Sequence, residues 1–390
     1  MYFFDRAFRS FFLGGAIFAT ISMLVWWLNY PVLNASLKLT SFSGISPIYW
    51  HGHEMVFGYA LATVTGFLLT AVMNWTGLNS ASGKWLAGLF VLWLLARFGY
   101  LVDLPIQYIA IADIGFTIGL FLHFFIPVYK TKQWKQAGLA VKFFLLIFAN
   151  TLYYSGALGL LQKGEYWGMI AGLFLVLAIN LTMMRRLIPF FTEKALGLPE
   201  KVNEKWLDAS AVGGFLGLMI VVMFAPNHWL ITVIAFPLGF IHSWRWLKWY
   251  HPKIWKITLL WPLHVSYAFM ILGMFLYGFV GLKMVSESLA IHALAAGGIG
   301  LLCSSMMARI SLGHTNRNVF EPPKIVVAVF ALLTITAIVR VILPLVDASH
   351  YVLWMHLSQW GWAISFAILT IVYWSILTKP SPIKDSGIRL

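Results

Sequence analysis

The residues that could do chemistry begin with Trp50-His51-Gly52-His53-Glu54-Met55, which opens a long apolar segment. Ionisable side chains inside a membrane span cost free energy, so they usually face the bundle interior and serve a function. At about 100° per residue, the rings of His51 and His53 point to nearly opposite faces of a helix. Glu54 follows His51 by three residues and is expected to hold its second ring nitrogen. One helical turn could therefore serve two partners; the alternative is a pair of surface histidines bonded to water and lipid.

Polar residues recur in later apolar segments, and several stretches share this character: Gly66-Phe67-Leu68-Leu69-Thr70-Ala71-Val72, Asn74-Trp75-Thr76-Gly77, Arg186-Leu187-Ile188-Pro189-Phe190-Phe191-Thr192, Leu263-His264, His292-Ala293-Leu294 and Leu312-Gly313-His314-Thr315. Together with the first run, they resemble the signature of the NnrS family. That family consists of haem- and copper-containing bacterial membrane proteins associated with nitric oxide stress and denitrification. Met73 and Asn316 depart from the usual pattern, and neither removes a potential ligand.

The composition is that of a membrane protein. Only 10% of the 390 residues are charged and 61% are hydrophobic, whereas soluble domains carry about 25% charged residues. The single cysteine, Cys303, excludes a disulfide framework or a thiolate metal site within the chain. Without a Cys-x-x-Cys-His motif, any haem is expected to be non-covalent and b-type. Imidazole ligands suit haem iron and copper.

Twelve apolar runs, each about long enough to span a membrane, predict an all-α polytopic membrane protein with one transmembrane domain over residues 1–390 and no soluble domain. The runs lie near residues 11–29, 49–73, 84–101, 106–127, 140–162, 165–189, 205–225, 228–247, 254–281, 285–310, 323–346 and 350–377. The longest connections, around 30–48 and 190–204, have room only for small caps or surface helices.

The basic residues predict the orientation. A cytoplasmic N-terminus places 22 of the 27 Lys and Arg residues on the cytoplasmic side or at adjoining helix ends. The five exceptions are Lys38, Lys163, Lys283, Arg97 and Arg340. We therefore expect a multi-pass protein of the bacterial inner membrane with both termini in the cytoplasm. The net charge of +14 is a topology signal and an attraction to membrane lipid, so we expect no nucleic-acid partner.

Following each span through the membrane sorts the histidines into two layers. An outer layer holds the histidines near the start of spans that enter from outside: His51, His53 and His292. An inner layer holds those near the cytoplasmic ends: His242, His264 and His314. All six are predicted metal or haem ligands, because each layer supplies imidazoles at matched depth on different helices. Three imidazoles suit copper, so we assign copper to the inner layer and haem to the outer. The alternative for the inner layer is a polar cluster that holds helix ends.

Two arginines belong to the outer layer. Arg97 and Arg340 could bind haem propionates bidentately; the alternatives are an Arg–carboxylate pair that locks helices, or snorkelling to the interface. The small residues after His292 would let a flat macrocycle approach the backbone, unless they serve ordinary helix packing. Arg186 and Arg309, near inner ends, are interpreted as topology and lipid-contact residues.

The resemblance favours haem and copper chemistry with nitric oxide. In the enzyme hypothesis, an oxidoreductase binds nitric oxide at haem iron, copper or a second haem supplies electrons from an unknown donor, and Glu54 is the catalytic candidate. In a second hypothesis the protein is a non-enzymatic nitric oxide sensor or protector. In a third it transports copper, haem or a metal–nitrosyl species.

Overall fold

The computed structural model describes residues 2–30, 41–199 and 204–382. Within these ranges the chain is helical, with no β-strand, and twelve helices are long and apolar enough to cross a membrane. They are α1 (Ala7–Asn29), α2 (Pro47–Thr76), α3 (Gly83–Leu101), α4 (Ile106–Lys130), α5 (Trp134–Ala157), α6 (Gly164–Leu196), α7 (Trp206–Phe224), α8 (Trp229–Trp249), α9 (Trp261–Gly281), α10 (Glu287–Gly313), α11 (Ile325–Val346) and α12 (Tyr351–Thr378). The predicted all-α membrane architecture is confirmed.

The helix ends follow local chemistry. Helix α2 ends because Gly77 adopts a left-handed conformation (φ +69°) and its N–H bonds the Met73 carbonyl at 2.9 Å. Helix α9 begins at Trp261, seven residues later than predicted, because Pro252–Lys256 forms a separate 3-10 turn and proline occupies the first turn of α9. The connection after α1 contains a 3-10 turn at Phe42–Gly44.

Several predictions concern residues outside the described ranges. Lys38, Lys201, Lys384 and Arg389 contributed to the charge count, and parts of the connections at 30–48 and 190–204 lie there too. The orientation therefore stays a prediction.

Three helices are buried far more than most of the others. The buried share is 83% for α2, 89% for α6 and 78% for α10, and these helices are four spans apart in the chain. Helices that face protein on every side shield ionisable groups from lipid. Two of the three carry the predicted outer-layer histidines.

The helices group into two compact units. Unit 1 comprises Met1–Val176, Ile310–Arg317 and Phe366–Leu390, and unit 2 comprises Leu177–Arg309 and Asn318–Ser365. Such a grouping does not measure whether either unit folds alone, so the single domain over residues 1–390 stays a prediction.

Both α2 and α10 contain a π-helical segment. Glu54–Ala60 follows His53 directly, and Ala293–Ile299 follows His292 directly. The π-helix is rare and occurs mostly as short bulges inside α-helices, frequently at functional sites. A uniform rotation of about 100° per residue, as used above, predicts neither segment.

Candidate functional site

In unit 1, the ring of His53 is enclosed on all its polar edges. His53 is fully buried, and the rings of Phe57 and Tyr153 stack on it at 4.8 and 4.0 Å between centroids. Its Nδ1 lies 2.9 Å from Glu54 Oε1, and its Nε2 lies 3.0 Å from Asn150 Oδ1. Both ring nitrogens therefore face oxygen atoms of the protein.

The orientation of the Asn150 amide determines which nitrogens of the His53 ring carry hydrogen. Its Nδ2 donates to Asp113 Oδ2 at 3.2 Å and to Thr117 Oγ1 at 3.0 Å. Thr117 itself donates to the Asp113 carbonyl, so its hydroxyl oxygen accepts from Asn150. The Asn150 Oδ1 atom must then accept from His53 Nε2, and Nδ1 shares its proton with Glu54. Neither ring nitrogen of His53 offers a lone pair to a metal in this arrangement.

Arg97 from α3 lies between the two carboxylates. Its Nε is 3.1 Å from Glu54 Oε2 and its Nη2 is 2.6 Å from Asp113 Oδ1, and at most 2% of each of the three side chains is exposed. These are ion-pair distances without aligned hydrogen bonds. The two carboxylates lie beside one guanidinium and one imidazole ring. The net charge of these four side chains is therefore zero when His53 is protonated. The alternative given above for Arg97, an ion pair that locks helices, matches this geometry better than a propionate anchor.

The π-helical segment of α2 is held by α3. The indole Nε1 of Trp93 donates to the Gly58 carbonyl at 2.9 Å, inside the segment. A Cβ at Gly58 would lie 2.4 Å from Phe18 and 3.0 Å from Arg97 Nη1, so this approach requires glycine. Trp93 and Arg97 are one turn apart, and together they fix the segment against α3.

Two tyrosines extend the network. Tyr154 donates its hydroxyl to Asp113 Oδ2 at 3.0 Å, and Tyr100 donates to Tyr154 at 3.2 Å. The sequence analysis missed Asn150 and both tyrosines. A signal was present, since Asn150 and Tyr154 are polar residues one helical turn apart in an otherwise apolar span. We refer to His53, Glu54, Arg97, Asp113, Asn150, Tyr100 and Tyr154 as the unit 1 network.

His51 has different surroundings from His53, as predicted. Its ring stacks on Trp26 of α1 at 4.5 Å between centroids and 11° between planes, and it is partly exposed. The Glu54 carboxylate contacts His53 and Arg97, which the prediction of a His51 partner missed. The physical reason is that the Glu54 carboxylate pairs with the buried Arg97 guanidinium of α3 and with the His53 ring, whereas the His51 ring stacks on Trp26 of α1.

In unit 2, the ring of His292 is oriented by its own helix. Its Nδ1 lies 2.6 Å from the Ser288 carbonyl oxygen, which can only accept, so Nδ1 carries the hydrogen and the lone pair is on Nε2. This is the arrangement in which proteins present a histidine to a metal. Arg340 Nη2 donates to Ser288 Oγ at 3.0 Å, and its guanidinium lies 5.8 Å from the Tyr351 ring centroid. The 3.2 Å approach of Nη2 to His292 Nδ1 joins two donors and is a contact rather than a hydrogen bond.

The small residues after His292 pack against helices. A Cβ at Gly297 would lie 2.3 Å from Phe269, and one at Gly298 would lie 2.7 Å from Met270, both on α9. These glycines therefore bring α9 and α10 together. They match the helix-packing alternative rather than a cradle for a macrocycle.

The inner-layer histidines of unit 2 differ in their bonds. His264 is 1% exposed, and its Nε2 lies 3.0 Å from Thr192 Oγ1. The Thr192 hydroxyl donates to the Ile188 carbonyl at 2.7 Å, so it accepts from Nε2–H, and the lone pair of His264 is on Nδ1. That buried Nδ1 has no hydrogen-bond partner in the described part of the chain. His242 Nδ1 lies 2.6 Å from the Tyr267 hydroxyl.

The third inner-layer histidine, His314, belongs to unit 1. Its ring lies 5.5 Å from that of Phe8 between centroids. Among the residues that the structure describes, no three His, Cys, Asp or Glu side chains are placed to hold one metal ion. His292 and His264 each fit the role of a single ligand, whereas His53 does not.

The fold and these sites define a polytopic helical membrane protein with histidine-centred clusters buried in its spans. The chain belongs to the NnrS family, since the family model described as NnrS protein matches residues 2–381. Membership supports a membrane protein associated with nitric oxide stress. No curated protein matches the chain.

Proposed function

We propose that this protein binds b-type haem and copper in the bacterial inner membrane and acts on nitric oxide as an oxidoreductase. The observation that carries the proposal is the ring of His292, which the Ser288 carbonyl fixes with its lone pair on Nε2, directly before a π-helical segment. Imidazoles oriented in this way are typical ligands of haem iron and copper.

The residues have distinct proposed roles. In unit 2, His292 binds haem, with Arg340 beside it as the propionate partner, and His264 binds copper through Nδ1, with His242 as the further candidate. In unit 1, His51 stays a separate candidate for haem and His314 a separate candidate for copper. Bound haem iron and copper supply nitric oxide binding and electron transfer.

The unit 1 network orients α2 in this proposal. Glu54 holds the His53 ring and Arg97, so its contribution to catalysis is to keep this part of α2 in one conformation. The partners are nitric oxide, membrane lipid and an electron donor whose identity the sequence does not reveal.

The test is the optical spectrum, metal content and nitric oxide consumption of detergent-purified protein. We expect His292→Ala to lose haem and His264→Ala to lose copper, each without loss of expression, because insertion depends on the apolar spans. His350→Ala is the matched control, because this ring is 64% exposed. Stoichiometric haem without steady-state consumption would favour a sensor or protector, and flux across vesicles without turnover would favour a transporter.

The proposed orientation has its own test. Reporter fusions at Ala195 and at the C-terminus should report cytoplasm, and a fusion at Lys283 should report the outer side. A C-terminus on the outer side would contradict the orientation.

A further inference from the structure

Arg309, near the end of α10, is buried, and the described residues give it no countercharge. Only 2% of it is exposed, so its interpretation as a lipid-contact residue is wrong. Its guanidinium lies 3.8 Å from the Phe191 ring centroid. Within the described ranges, no Asp or Glu oxygen lies within the 4.0 Å of an ion pair, and its buried Nε has no hydrogen-bond partner.

Arg245, another buried arginine of this unit, shows what is missing. Arg245 is also 2% exposed, but its Nη2 lies 2.8 Å from Asp208 Oδ1, and Asp208 also pairs with Arg185. Buried charges in proteins are normally paired in this way, because leaving water costs several kcal/mol per ion. Cation–π contact with one phenyl ring offsets only about 2 kcal/mol of such a cost.

Two further buried polar atoms of unit 2 have no hydrogen-bond partner among the described residues. Ser305 precedes Arg309 by one helical turn, so both side chains lie on the same face of α10, and the Ser305 hydroxyl is buried without a hydrogen bond in the described structure. His264 presents the unpartnered Nδ1 described above, and its orienting residue, Thr192, is adjacent to Phe191 in α6. Consecutive residues of α6 therefore hold Arg309 and His264.

We propose that Arg309 and Ser305 bind an oxyanion, either a carboxylate or a phosphate group, beside His264. A guanidinium donates in a plane that matches carboxylate and phosphate oxygens, and the serine hydroxyl adds one donor. The binding of an anion supplies the countercharge that the described side chains do not. A haem propionate as the anion rests on the proposed function, whereas a lipid phosphate or free phosphate does not.

Three kinds of molecule carry an oxyanion of this type. A haem propionate is a carboxylate, an anionic lipid headgroup carries a phosphate diester, and inorganic phosphate is a free ion. In each case the group occupies the plane of the guanidinium, and the ring of Phe191 covers one guanidinium face.

The experiment compares wild type with Arg309→Met and Arg309→Lys in the full chain. Three binding measurements identify the source: retained haem, the shift of the unfolding midpoint between phosphatidylcholine and phosphatidylglycerol nanodiscs, and the shift produced by inorganic phosphate. We expect Arg309→Met to abolish one of the three and to lower the midpoint of the protein as purified. Arg309→Lys should keep part of the effect, because it keeps the charge.

Arg245→Met is the matched control, since it removes an arginine of equal burial whose partner is Asp208. It should lower the midpoint equally in both lipids, with and without phosphate. If Arg309→Met raises the midpoint and leaves all three measurements at their wild-type values, Arg309 is an uncompensated charge and the site does not exist. If the variant fails to insert, the wild-type protein provides the test. The proposal is refuted if wild type retains no haem and its unfolding midpoint shifts with neither phosphatidylglycerol nor phosphate.

Discussion

The starts of α2 and α10 share a local structure, but their histidines have different surroundings. Each carries a histidine directly before a π-helical segment, and in each unit an arginine from the following span reaches it. In unit 1, Arg97 meets two carboxylates and both nitrogens of His53 are bonded. In unit 2, Arg340 contacts the Ser288 hydroxyl and the His292 ring, and a backbone carbonyl orients that ring.

The difference separates a structural role from the proposed ligand role. A histidine bonded at both nitrogens to carboxylate and amide oxygens can bind a metal only if those bonds break. A histidine fixed at one nitrogen by its own helix presents the other nitrogen in a defined direction. The two clusters should therefore respond to substitution in opposite ways, with loss of stability in unit 1 and loss of cofactor in unit 2.

The largest effect is expected from Arg97→Met. Removing the guanidinium leaves Glu54 and Asp113 buried with only His53 as a countercharge, and breaking a buried ion pair costs about 3–5 kcal/mol. The unfolding midpoint in detergent should fall steeply and the yield with it. The double variant with Asp113→Asn should recover part of the loss because it restores neutrality. Lys84→Met, at an exposed position, serves as the control, and a wild-type midpoint for Arg97→Met would mean that the network does not stabilise unit 1.

A smaller effect distinguishes the two histidines. His53→Ala leaves Glu54 Oε1 and Asn150 Oδ1 without their donor, at a cost of about 1–3 kcal/mol. We expect a lower unfolding midpoint with unchanged haem and copper per folded molecule, measured by optical spectrum and metal analysis. Loss of haem at an unchanged midpoint would instead restore His53 as a ligand and would remove the contrast with His292.

The smallest effect on stability is expected for an exposed histidine–carboxylate pair. It provides a comparison with the buried pairs of unit 1. Asp347 lies outside the spans, accepts from the Ser349 hydroxyl, and contacts His350 Nδ1 at 2.7 Å. The Ser349 hydroxyl and then His350 lower the pKa of Asp347 below its ordinary value. The contribution to stability is present above the ordinary pKa of aspartate, about 3.9, and is lost as the pH falls through the lower folded pKa.

Carbon-13 NMR of labelled aspartate in micelles should therefore show Asp347 titrating at a higher pH in Ser349→Ala than in wild type. The unfolding midpoint of Asp347→Asn at neutral pH should be close to that of wild type, because exposed pairs contribute little. An unchanged titration in Ser349→Ala would show that the hydroxyl does not act on the carboxylate.

The sequence determined the membrane class and the spans, because an apolar run of sufficient length inserts as a helix whatever its neighbours are. It also located His53 and Arg97 as ionisable groups within spans. It identified His292 and His264 as candidate ligands from residue type and family resemblance. None of these inferences requires knowing which helices pack together.

Only the tertiary structure decided what these groups contact. Asn150 lies 97 residues from His53 in the chain. Its amide orientation is set by Asp113, and as a result neither ring nitrogen of His53 offers a lone pair to a metal. The two π-helical segments redirect the side chains of α2 and α10 relative to a regular helix. Whether a buried arginine meets carboxylates, as Arg97 does, or none within the described residues, as with Arg309, depends on which helices pack together. That choice depends on contacts between spans, which the hydropathy of a single span does not encode.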